Sequence, residues 1–244
     1  MKKISFVILA LVMAMVFACP VFAEGAMTYA DFVAAELDAE ITVETYIQAK
    51  QGWWENNGVG NATFYTQNEE GAYFLYNMPC SYEEFELLTV GTKIRVTGYK
   101  AEWAGEVEIV EATYEIIEGE YIAEALDVTE LLGAEELINF QNQFVAFKGM
   151  TVEDAGNGAA FMYNWDGSGQ DGNDLYFNVS LNGVTYTFTV ESYLTGAGTE
   201  VYEAVKALNI GDVIDMEGFL YWYNGVNPHI TNVQPHVAEE AAAE

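Results

Sequence analysis

The residues best suited to chemistry in this chain are aromatic. Five tryptophans, Trp53, Trp54, Trp103, Trp165 and Trp222, fall beside glycines and turn residues rather than inside long apolar runs. Trp222 belongs to Tyr221-Trp222-Tyr223-Asn224, just ahead of Gly225, with His229 close behind. Rings at such positions can stack on the apolar face of a sugar or on a base, while Asn56, Asp166, Asn224 and Asn227 supply hydrogen bonds. Trp165 opens a glycine-rich run in which Asp166, Asp171 and Asp174 are candidate calcium ligands, because calcium takes hard oxygen donors from flexible loops. The EF-hand spacing fails there: counted from Asp166, the sixth position is Asp171 rather than glycine and the twelfth is Phe177 rather than glutamate.

Nucleophilic and redox patterns are missing. His229 and His236 lie outside any zinc spacing and have no cysteine partner. Cys80 follows Tyr76, Asn77, Met78 and Pro79, far in sequence from either histidine, and reads as a buried structural thiol. Neither a Gly-x-Ser-x-Gly elbow nor a phosphate or dinucleotide glycine loop occurs. The expectation is a protein that is not an enzyme and needs no cofactor, with calcium as the one candidate ion.

Charge narrows the partners. The 244 residues carry 8 Lys and Arg against 38 Asp and Glu, a net charge of −30, yet 51% of them are hydrophobic. That apolar content excludes a disordered acidic tail. The charge disfavours polyanions, so nucleic acid is expected to be an unlikely partner. Lys93, Arg95 and Lys100 do cluster near Trp103, but Glu106, Glu108 and Glu111 on the adjoining strand are placed to neutralise them.

Lys2 and Lys3, the apolar run 4–18 and Val21-Phe22-Ala23 have the form of a secretory signal peptide. Cleavage after Ala23 predicts a secreted product with no membrane span and no disulfide, since Cys19 leaves with the leader. Lipid anchoring at Cys19 is the alternative, weakened by Phe17 before it and Pro20 after it.

The elements that must position the aromatic residues occur twice. A shift of 120 residues lays Gly91 on Gly211, Ile94 on Ile214, Gly98 on Gly218, Tyr99 on Phe219 and Gly105 on Gly225 without a gap. Around this alternating strand the first copy predicts strands at 41–49, 62–67 and 72–77, a helix at 81–88, then strands at 92–100 and 106–117. The second predicts strands at 143–152, 175–181 and 184–190, a helix at 199–208, then strands at 212–220 and 229–233. Asn182-Gly183 between two of these is a hairpin signal. A helix is also expected at 29–37, capped by Thr28. A helical connector is expected at 128–140, whose Leu131, Leu132 and Leu137 would bridge the two copies.

Three strands, a helix and two strands is the order of a five-stranded Greek-key barrel. Thr92-Lys93-Ile94-Arg95-Val96-Thr97-Gly98-Tyr99 and Asp212-Val213-Ile214-Asp215-Met216-Glu217-Gly218-Phe219, each delivered by a helix, resemble the OB-fold. The likeness is to uncharacterised exported bacterial proteins with tandem OB-like domains. The expected fold is therefore mainly β: two tandem five-stranded Greek-key barrels, each with a short helix, plus short N-terminal and linker helices. The expected layout is 1–23 signal peptide, 24–118 N-terminal helix and first barrel, 119–139 connector, 140–236 second barrel and 237–244 acidic tail.

The resemblance implies ligand contacts on the face of strands two and three and in the loops joining strands one to two and four to five. All five tryptophans lie in or beside those loops. The expected function is a binding protein whose aromatic loops (Trp53, Trp54, Trp103, Trp165, Tyr221, Trp222, Tyr223, Asn224 and His229) take a saccharide or cell-envelope glycan. A protein-interaction or scaffold module is the first alternative, with a basic protein partner, and a single-stranded nucleic-acid binder the second. The competing view of the tryptophans is that they cover the barrel ends or the seam between the barrels.

Overall fold

The computed structural model describes residues 25–237. The signal-peptide region, Cys19 and most of the acidic tail lie outside the described residues. The first sheet contains β1 (Glu40–Lys50), β2 (Trp54–Asn56), β3 (Val59–Gln67), β4 (Ala72–Pro79), β5 (Thr92–Trp103) and β6 (Glu106–Glu120). It runs β1-β5-β6-β4-β3-β2, and β1 pairs with β3 to close a five-stranded barrel. The second contains β7 (Leu126–Asp127), β8 (Phe144–Glu153), β9 (Phe161–Tyr163), β10 (Leu175–Leu181), β11 (Val184–Val190), β12 (Val213–Phe219) and β13 (His229–Pro235). Its order, β7-β8-β12-β13-β11-β10-β9 with β8 also pairing β10, repeats the same ring. Four short helices accompany them: α1 (Tyr29–Ala34), α2 (Tyr82–Leu87), α3 (Ser192–Thr195) and α4 (Glu200–Lys206). Among the described residues no helix is long and apolar enough to cross a membrane.

Alternation builds each barrel. In β1 the side chains of Ile41, Val43, Thr45 and Ile47 point inward and meet Ile94 and Val96 of β5. The glycines shared by the two copies each have a physical task. Gly91 and Gly211 adopt φ of +88° and +94°, and their N–H groups donate to Ile47 and Val152 at 2.8 Å, so the same left-handed turn feeds β5 and β12. Gly98 and Gly218 sit where the last strand of each barrel bulges across its neighbour. A Cβ on Gly98 would stand 2.8 Å from the Val110 carbonyl oxygen, and one on Gly218 closer still to that of His229. Gly98→Ala is therefore expected to lower the unfolding free energy by about 1–3 kcal/mol through forced backbone movement. A urea-denaturation midpoint unchanged from the parent would show that the strand crossing has slack.

The helices follow their caps. Thr28 with Asp31 and Ser81 with Glu84 each form a complete capping box, and Thr199 caps α4. Helix α1 is shorter than its apolar pattern predicts. Lys100, expected to contribute to an exposed basic patch, is instead buried, and its Nζ donates to the carbonyls of Phe32, Val33 and Ala35 at 2.7–3.0 Å.

The connector departs from expectation. It is two 3-10 turns, Thr129–Leu131 and Glu135–Phe140, broken at Gly133, whose φ of +85° ends the first turn. Leu137 is buried in the second barrel's core, with Leu131 and Leu132 against it, so these residues plug one barrel and do not bridge two. The bridge is a separate aromatic cluster of Tyr65, Phe74 and Phe219, flanked by Phe144 and Tyr221.

Candidate functional site

That cluster occupies the face on which the first barrel would be expected to bind. Residues Tyr65 and Gln67 of β3 and Phe74 of β4 point away from their own core. The second barrel covers them. Phe219 stacks on Tyr65 with centroids 4.6 Å apart and planes at 29°, Tyr221 meets Phe74 edge-on at 5.4 Å, and His229 stacks on Tyr221 at 4.3 Å. Polar contacts complete the seam. Tyr65 Oη and His229 Nδ1 are 2.6 Å apart, Gln51 Nε2 donates to Glu191 at 3.1 Å, and the Trp222 N–H donates to Glu106 at 2.9 Å.

The aromatic side chains expected in one platform are therefore divided. Tyr221, Trp222 and His229 belong to the seam, and the Asn224 N–H donates to the Ala104 carbonyl of the first barrel at 2.7 Å. Trp222 lies over Gly105, where any Cβ would strike its ring at 2.9 Å. Trp53 is a packing residue too. Its Nε1 donates to the Cys80 carbonyl at 3.0 Å, its ring packs edge-on against Tyr82, and it lies over Gly60. Trp54, Trp103, Trp165 and Tyr223 are exposed, Trp103 to 63% and Trp165 to 73%.

The carboxylates of the glycine-rich loop go to separate partners. Asp166 accepts from the Ser168 N–H, Asp171 pairs with Lys206 at 2.9 Å, and Asp174 accepts from the N–H and Oγ of Ser192. No group of three His, Cys, Asp or Glu side chains suited to a metal ion occurs among the described residues.

In the second barrel the corresponding face is open in part: Thr189 is buried, and Tyr176, Asn178 and Ser180 are half-buried. Residues 176, 178 and 180 of β10 lie opposite 189, 187 and 185 of β11. These positions hold Tyr176, Asn178, Ser180, Thr185, Thr187 and Thr189, none of them charged, and Thr185 and Thr187 are exposed. Thr187 Oγ1 donates to Asn178 Oδ1 at 2.8 Å and Asn178 Nδ2 donates to the Asp154 carbonyl at 2.9 Å, which holds the amide in place. Burial raises the Tyr176 hydroxyl pKa, and the neighbouring Asp174, Glu191 and, least, Tyr223 add to the rise. Sequence reasoning missed this contrast, although a signal exists. Phe64-Tyr65 and Tyr73-Phe74 put an aromatic ring on both faces of β3 and β4, as a sheet covered on both sides requires. The matching strands of the second copy alternate apolar with hydroxyl or amide residues.

Electrostatics in the seam follow burial. Desolvation raises Glu106 well above the ordinary carboxylate range and pushes Glu191 up to about 7, while it holds His229 down at about 3. On the surface, Lys93 and Arg95 are both held by Glu44, at 2.8 and 2.7 Å, and Arg95 also pairs with Glu115. The strand expected to neutralise this patch does so through Glu115, with β1 providing the main partner, whereas Glu106 lies in the seam.

No known protein family matches the chain, and neither does any curated protein. Solved structures do. A murine DNA-binding protein described as bound to double-stranded DNA aligns over 82% of this chain and 98% of its own, with 9% identity and a TM-score of 0.38. A replication protein A heterotrimer bound to single-stranded DNA aligns over 79% of this chain and 50% of its own, with 14% identity and a TM-score of 0.31. A deletion mutant of the single-stranded DNA binding protein from Thermus aquaticus aligns over 85% and 99%, with 13% identity and a TM-score of 0.27. Two expectations are corrected. The saccharide or cell-envelope glycan ligand loses its basis, since Trp53 and Trp222 are packed and the tryptophans form no common platform. The expectation that nucleic acid is an unlikely partner stands against the description of these solved structures as DNA-bound or DNA-binding and is not kept. The chain is built of tandem OB-like barrels.

Proposed function

We propose that this protein is an exported, non-catalytic binding protein that takes single-stranded nucleic acid on the open face of its second barrel. The observation that carries this reading is the row of neutral side chains on β10 and β11, flanked by Glu153 and Asp174, at the place where OB barrels take ligands. Exposed bases can stack on Trp165, Tyr176 and Tyr223, and Asn178, Thr185 and Thr187 can hydrogen-bond their edges. Phosphates find little help. Lys50, Lys93, Arg95, Lys100, Lys148 and Lys206 are each engaged by a carboxylate or a backbone carbonyl.

This assigns the binding energy to bases, and it fixes an unusual salt dependence. A basic groove loses affinity as salt rises because counterion release drives its binding. Here added salt screens repulsion between two anions, so affinity should rise from low to physiological ionic strength as the Debye length shortens from roughly 30 to 8 Å. Fluorescence anisotropy of a labelled oligothymidylate reads this directly. Trp165→Ala and Tyr223→Ala should each weaken binding by about 1–3 kcal/mol. Absence of saturable binding at any ionic strength, up to roughly 100 μM protein, the weak end of non-specific binding, would sink the reading.

A further inference from the structure

The strand that closes the first barrel is longer than the barrel needs. β6 spans 15 residues, and its first part is paired on both sides: with β5, and with β4 at Glu108 and Ile109. Beyond Val110 it pairs with β5 alone. Among the described residues, the backbone groups of 111–118 on the other edge meet no strand, and none of them bonds a turn or loop. An open edge of this length is a template for another strand.

The two copies treat this edge differently. In the second barrel the matching strand ends at Pro235, which has no N–H to offer, and α4 packs against it. The first barrel has no proline in β6. Between the free edge and α2 lies a cleft of about 430 Å³ lined by Pro79, Glu84, Ala112, Thr113, Tyr114 and Ile116. Ile116 is 46% exposed, and the hydroxyl of Tyr114 is buried without a hydrogen-bond partner. Charge selects what can enter. Glu111, Glu115 and Glu118 line the strand, and Glu83, Glu84 and Glu86 belong to the facing helix. These carboxylates repel a second copy of the same edge, which is acidic itself, and they favour a cation.

We propose that the free edge of β6 over residues 111–118 accepts an extended cationic peptide segment of a partner protein as an added strand. Apolar side chains of the peptide fill the cleft beside Ile116 and Tyr114, and its lysines or arginines on the other face pair with Glu115 and its neighbours. The main-chain ladder supplies affinity, and the alternation supplies specificity.

The probe is an acetylated, amidated heptapeptide alternating valine and lysine, Val-Lys-Val-Lys-Val-Lys-Val. Titration into the protein should give saturable binding, with slowed amide exchange within residues 111–118 read by NMR. Ile116→Lys combined with Glu118→Lys changes two exposed positions and should weaken binding at least tenfold while leaving Tm unchanged. A peptide N-methylated at alternate residues, which cannot form the ladder, should not bind, nor should one with glutamate in place of lysine. Equal affinity for the N-methylated peptide would reduce the effect to charge alone and overturn the proposal. So would protection appearing only outside β6, or no binding at all. Oligothymidylate affinity in the double variant tests the other barrel, so failure of one site is distinguishable from failure of the other.

Discussion

Tyr65→Ala is expected to lower the unfolding free energy by about 3–5 kcal/mol, as for a large aromatic removed from a packed core, and Tm by roughly 10 °C. Tyr65 is fully buried, yet it belongs to neither barrel's own core. Its ring lies between Phe74 at 5.0 Å and Phe219 at 4.6 Å, and its hydroxyl meets His229 at 2.6 Å. Truncation removes the ring shared by the two barrels and leaves a buried imidazole unpartnered, which pushes the cost to the upper end of the range. Tyr65→Phe keeps the ring and removes only the hydroxyl, which meets His229 and, at 3.5 Å, accepts from Gln51 Nε2, so about 1–2 kcal/mol is expected there. Because the seam cluster is small and distinct from the two cores, Tyr65→Ala should also separate one unfolding transition into two in calorimetry. A loss under about 1 kcal/mol with a single transition would mean that the rest of the seam couples the barrels without this ring.

The seam also explains what could and could not be read from the chain. The duplication was legible because its glycines are required by backbone geometry within each copy: the left-handed turn at Gly91 and Gly211, and the strand crossing at Gly98 and Gly218. The cap at Thr28 was legible for the same reason, since it concerns residues three apart. The connector was misread because Leu131, Leu132 and Leu137 have helical spacing, while Gly133 imposes a break that periodicity does not weigh. Trp53 and Trp222 do occupy turns, but each is held by a group distant in sequence, the Cys80 carbonyl and the Glu106 carboxylate respectively. Local pattern places a ring in a loop. It does not say whether that loop faces solvent or a second domain.

Stability is expected to peak near pH 4.5 and to fall on either side, the two arms being set by oppositely perturbed groups in one seam. Glu191 has a carboxyl raised by burial from 4.5 to about 7. Its neutral form is favoured by folding, so its contribution is complete below pH 4.5 and is lost as pH rises through about 7. Glu106 is displaced in the same direction by burial, and its Oε1 has no hydrogen-bond partner, as a buried ionised oxygen would need. His229 is displaced the other way, from 6.5 to about 3, so its contribution is present above pH 6.5 and is lost as pH falls toward 3. Between the two unfolded-state values the proton uptake of the imidazole on unfolding offsets proton release by one of the two acids, so the fall there is shallower than above pH 6.5. Above pH 6.5 only the acids act, and each pKa unit of displacement corresponds to about 1.4 kcal/mol. Urea midpoints measured from pH 3 to 9 should trace this shape. Glu191→Gln should reduce the alkaline slope most between pH 4.5 and 6.5, where the curve becomes nearly flat, and leave the acid arm, whereas His229→Asn should remove the acid arm at some cost in overall stability. If Glu191→Gln leaves the alkaline slope at its parent value, the seam acids are not its source. Self-repulsion of a chain with net charge −30 would then have to account for it, and raising ionic strength would flatten that arm instead.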